Sequence, residues 1–75
     1  MFNIIMISYI MSRKIRELIA ELERAGFETR IVKGSHRIFI HKNCPFNIVI
    51  SGKSGADALP YQEKAIKRAL REIKK

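Results

Sequence analysis

Gly34, Ser35 and His36 stand together where one β-branched run ends and another apolar run begins. Histidine is the side chain whose unperturbed pKa lets it give or take a proton near neutral pH. Serine adds a hydroxyl, and glycine admits a positive φ and close approach by a ligand. Arg30, Lys33 and Arg37 surround the trio with positive charge. A proton-transfer group in a cationic hairpin suits chemistry on a phosphodiester. RNA fits best, because it carries its own nucleophile in the 2′-hydroxyl. The plainer alternative is a histidine whose ring nitrogens are satisfied within a hydrogen-bonded turn.

Other candidate chemistry is thinner. His41 lies five residues after His36 and so falls on the opposite face of an ideal strand. Without a bulge the two cannot share a metal or form a direct acid–base pair, and His41 reads as a surface residue near a turn. No His, Cys or carboxylate cluster with metal-ligand spacing is visible, so a metal-dependent nuclease is disfavoured and no cofactor is expected. Ser51-Gly52-Lys53-Ser54-Gly55 superficially looks like a phosphate loop, but Asn47 stands where the motif needs its first glycine. Lys53 can still contact an RNA backbone. Lys64, Lys67, Arg68 and Arg71 recur at helical spacing and make a basic stripe suited to phosphates. Phe39, between Arg37 and His41 in parity, is placed on the outer sheet face, where it could stack on a base.

These residues need elements to hold them. A helical pattern runs from Ser12, a natural N-cap, to Ala25, with Ile15, Leu18, Ile19, Leu22 and Ala25 on one stripe. Gly26 is the usual stop. Phe27 to Val32, His36 to His41 and Phe46 to Ile50 read as strands, joined by turns at Lys33-Gly34-Ser35 and Lys42-Asn43-Cys44-Pro45. Connections this short favour an antiparallel meander. Parity groups His36 with Ile38 and Ile40, which puts the histidine on or near the helix-covered face. After a small-residue loop, Pro60 opens a final helix with Ala65, Ile66, Ala69, Leu70 and Ile73 as its apolar stripe. Asp57 would complement the start of that helix if the chain folds back on it. The order is helix, three strands, helix, an α+β domain whose two helices need the same sheet face.

With 75 residues the chain is one domain with a limited core. Fifteen Lys and Arg against seven Asp and Glu leave a formal net charge of +8, which favours nucleic acid or acidic partners. The single Cys44 excludes an intrachain disulfide, reads as an incidental thiol, and makes the cytoplasm the default location. Residues 1–10 are apolar and uncharged, too short to span a bilayer, and lack the marks of a secretory signal, so no membrane association is expected. Met11 looks like a second start, which makes residues 1–10 an extension and 11–75 the domain.

Three segments together resemble the HicA-type toxins, small mRNA interferases of toxin–antitoxin pairs. Leu22-Glu23-Arg24-Ala25-Gly26-Phe27 is similar to the end of that family's first helix, and Lys33-Gly34-Ser35-His36-Arg37-Ile38-Phe39 to its glycine-serine-histidine hairpin. Asp57-Ala58-Leu59-Pro60-Tyr61-Gln62 before a basic amphipathic helix resembles a branch of the same family. The resemblance implies a fold like the double-stranded-RNA-binding domain and RNA cleavage dependent on His36. It also implies an acidic HicB-type antitoxin that joins the toxin in binding operator DNA. Lys33, Gly34, Ser35, Arg37, Lys53, Lys64, Lys67 and Arg68 are the residues expected to bind the RNA. The alternative is a non-catalytic RNA-binding module of the same fold, whose basic residues hold a duplex by shape.

Overall fold

The computed structural model describes residues 13–75; the expected extension 1–10, the Met11 start and the Ser12 cap lie outside the described residues. Helix α1 is Ile15–Arg24, followed by strands β1 (Glu28–Lys33), β2 (His36–Ile40) and β3 (Ile48–Ile50) and by helix α2 (Pro60–Ile73). The strands form one antiparallel sheet in the order β1-β2-β3. This is the expected α+β arrangement of the double-stranded-RNA-binding domain.

Each boundary has a local cause. At the start of α1 the Glu17 carboxylate accepts the Lys14 amide at 2.9 Å. The next two amides, of Ile15 and Arg16, donate to the carbonyls of Ala56 and Ser54 at 2.9 and 3.0 Å. The orphan donors of the first turn are thus met by a distant loop. At the other end Gly26 takes φ +95°, Phe27 N–H donates to the Leu22 carbonyl and Gly26 N–H to that of Glu23, both at 3.0 Å. That pattern is a Schellman motif, and Phe27 and Leu22 supply its apolar contact in the core. Pro60 occupies the first turn of α2, and the Gln62 side chain accepts the Leu59 amide at 2.8 Å.

One core joins the layers. Ile15, Leu18 and Leu22 of α1 and Ile66 and Ala69 of α2 are buried against Phe39, Ile48 and Ile50, so both helices cover the same sheet face. Burying each large apolar side chain contributes about 1.5–3 kcal/mol before chain entropy is set against it. The expected stripes of both helices therefore face inward.

The phase of β2 is the reverse of that expected. Phe39 pairs with Ile48 and Arg37 with Ile50, while Ile38 pairs with Val49. Directly opposed residues point to the same face, so Arg37 and Phe39 lie on the helix side and His36, Ile38 and Ile40 on the open side. Phe39 is wholly buried and cannot stack on a base, whereas Val49 is 53% exposed. Alternation leaves both sets of β2 apolar enough to go inward, and the larger phenyl ring gains more from burial than either isoleucine. Arg37 tolerates the inner face because it is only half-buried at the sheet's end, where a long stem lets its head group reach water.

Candidate active site

The hairpin between β1 and β2 turns on Lys33-Gly34-Ser35-His36. Gly34 has φ +57° while Ser35 stays at negative φ, the pattern of a two-residue turn that needs glycine first. Lys33 pairs with His36 after a bulge between Ile31 and Lys33. Extra residues of this kind bend an edge strand and re-aim side chains. His36, the first residue of β2, is exposed on the face away from the helices, and its imidazole has no hydrogen-bond partner among the described residues.

Around it, Lys33 is exposed on the turn and Arg30 is exposed opposite Ile38 on the same sheet face. Ser35 is half-buried, and its Oγ accepts the Gly52 amide at 3.3 Å. That bond brings the loop after β3, with exposed Lys53, to the hairpin tip. Arg37 neighbours His36 in sequence but occupies the other face. Lys64, Lys67 and Arg68 are exposed on α2, on the helix side of the sheet rather than the face bearing His36. Arg68 lies over the Phe46 ring at 4.8 Å from its centroid, which holds its guanidinium by a cation–π contact. The cations therefore fall into two groups, one at the hairpin end and one along α2.

His41 is half-buried rather than a surface residue. Its Nδ1 accepts the Asn43 amide at 3.0 Å and its ring tilts against Phe27, with centroids 4.9 Å apart. It is a structural histidine on the side opposite His36. Asp57 does not serve the start of α2; its carboxylate binds Lys14 Nζ at 2.6 Å, where the two residues also form a β-bridge. No group of three or more His, Cys, Asp and Glu that could hold a metal occurs among the described residues. No helix among them is long and apolar enough to cross a membrane.

A family model described as the HicA toxin of bacterial toxin–antitoxin matches residues 15–74. The chain belongs to the HicA toxin family. It is thus the toxin of a toxin–antitoxin system, and membership implies a cognate antitoxin. No curated protein and no solved structure matches significantly. The HicA match spans both helices and all three strands of the described residues, so the hairpin carrying His36 lies within the family's own domain.

Gln62 escapes a reading by composition, because a polar residue in the first turn of a helix looks exposed. It is 4% exposed, and its Nε2 donates to the Ser51 carbonyl at 3.2 Å. The available signal is its spacing: a glutamine three residues after the N-cap is the residue that reaches back to the cap amide.

Proposed function

We propose that this HicA-family toxin is a metal-independent endoribonuclease, an mRNA interferase that uses His36 as its general acid/base. The observation that carries the reading is an exposed imidazole with no hydrogen-bond partner among the described residues, set on an open sheet face beside Lys33. His36 removes the proton from a 2′-hydroxyl, the 2′-oxygen attacks the adjacent phosphorus, and the bond to the 5′-oxygen breaks. The products are a 2′,3′-cyclic phosphate and a 5′-hydroxyl, the leaving oxygen taking up a proton. Lys33, Arg37 and Lys53 supply positive charge at that end of the sheet, Gly34 lets the backbone approach, and Ser35 shapes the tip. Lys64, Lys67 and Arg68 hold RNA further away. The site works in the cytoplasm and is neutralised by an acidic HicB-type antitoxin, which carries the toxin to operator DNA.

His36→Ala is the test. Loss of a general acid or base lowers rate by about 10²–10⁴-fold. The variant is expected to keep its unfolding midpoint, because the imidazole contributes no contact to the core. His41→Ala is the converse control: it loses a hydrogen bond and the Phe27 contact, so stability falls by about 1 kcal/mol while rate per folded molecule holds. Cleavage in excess chelator should match that without it. A folded His36→Ala protein cutting RNA at the parental rate would leave a non-catalytic RNA-binding module as the better description.

A further inference from the structure

The sheet stops hydrogen-bonding just where the site begins. β3 ends at Ile50, opposite Arg37. Continuing that register by one residue sets His36 across from Ser51, and by two sets Ser35 across from Gly52. At these two positions side chains replace the ladder. Ser35 Oγ accepts the Gly52 amide at 3.3 Å. Gln62 Nε2 donates to the Ser51 carbonyl at 3.2 Å while its Oε1 accepts the Leu59 amide at 2.8 Å. Gln62 is the buried polar side chain of the core, and both ends of its amide are in use. Downstream, Ala56 N–H closes on the Lys53 carbonyl at 2.9 Å, and the Ser54 and Ala56 carbonyls hold the start of α1. Lys53 sits between two fastened stretches and is exposed.

We infer that Ser35 and Gln62 are positioning residues: they hold Ser51-Gly52-Lys53 beside His36 and so fix Lys53 as a phosphate-holding cation of the cleavage site. The inference rests on the ribonuclease reading and deepens it. Fixed donors and charges stabilise developing charge best when they need not reorganise during reaction. A misplacement of about 1 Å can cost about 10²-fold in rate. Ser35→Ala removes the acceptor for Gly52, and Ser35→Thr restores one. Gln62→Glu keeps the acceptor that caps α2 but loses the donor to Ser51, which separates capping from fastening.

The experiment uses the full chain and two readouts on one RNA. Single-turnover cleavage at saturating RNA reports the chemical step, and affinity for the same RNA with a 2′-deoxy group at the cut reports binding. Ser35→Ala and Gln62→Glu are expected to slow the step by about 10–100-fold with affinity within about 2-fold. Ser35→Thr should recover most of the rate, and neither substitution should slow a His36→Ala protein further. Exchange of the Gly52 amide, followed by NMR, should quicken in Ser35→Ala whatever the chemistry. If Gln62→Glu does not fold, Ser35→Ala with its threonine rescue decides alone. Parental rates in folded Ser35→Ala, with His36→Ala inactive, would overturn the positioning role and leave the ribonuclease reading intact. An active His36→Ala protein would overturn the reading itself.

Discussion

Arg13 holds both helices at once. Its Nη2 donates to Glu63 Oε1 at 2.7 Å and its Nε to Glu63 Oε2 at 3.2 Å, while Nη2 also lies 2.9 Å from Glu21 Oε1. Hydrogen bonding to Glu63 pushes the guanidinium pKa up, against the opposing effect of burial. A raised value means the stabilisation is fully present below the ordinary arginine pKa and is lost only as pH climbs through the folded one. Loss of the arginine charge therefore plays no part at neutral or mildly alkaline pH. Arg13 is 38% exposed, so solvent screening keeps the contribution modest. Arg13→Lys keeps the charge and loses the two-pronged geometry; it should lower stability by about 1 kcal/mol in denaturant titrations, with the pH profile of cleavage unmoved. At this scale the sequence displays His36 and its flanking cations plainly. It hides Arg13, Gln62 and the partner of Ser35, because these contacts span 50, 11 and 17 residues.

Among the elements, β2 decides which side of the sheet carries His36. Helix stripes, the Gly26 stop and the hairpin glycine are legible in the chain, since each depends on neighbours within a turn or two. The inward face of β2 is not, because it depends on register with β3 and on the relative gain from burying Phe39 or the two isoleucines. Phe39→Ala should therefore cost about 3–5 kcal/mol, enough to unfold most of a domain this small. Val49→Thr, on the open face, should stay within about 0.5 kcal/mol of the parent. Thermal unfolding of the pair checks the assignment: equal losses would mean that the open face is covered.

As a whole, the molecule is a positive body with two differently furnished sides. The open face offers His36, Arg30 and Lys33 together with exposed Val49, a mixture suited to a partner that is acidic with some apolar surface. The outer side of α2 offers mainly charge, with Tyr61 exposed near its start. An acidic antitoxin should associate at a rate that falls steeply with added salt, and its footprint by amide exchange should include the hairpin and the open sheet face. Protection confined to α2, with the hairpin left exchanging freely, would refute direct occlusion of His36. Charge was enough to predict an attraction from sequence; only the fold divides it between two sides.

Cys44 is more than an incidental thiol. It is buried in the core, and its Sγ donates to the Phe46 carbonyl at 3.2 Å. As the single cysteine of the chain, it is a built-in clock: a thiol reagent reaches it only when the turn before β3 opens. The labelling rate thus reads how often the toxin breathes at that end of the sheet, free or captured, without a dye or an added residue.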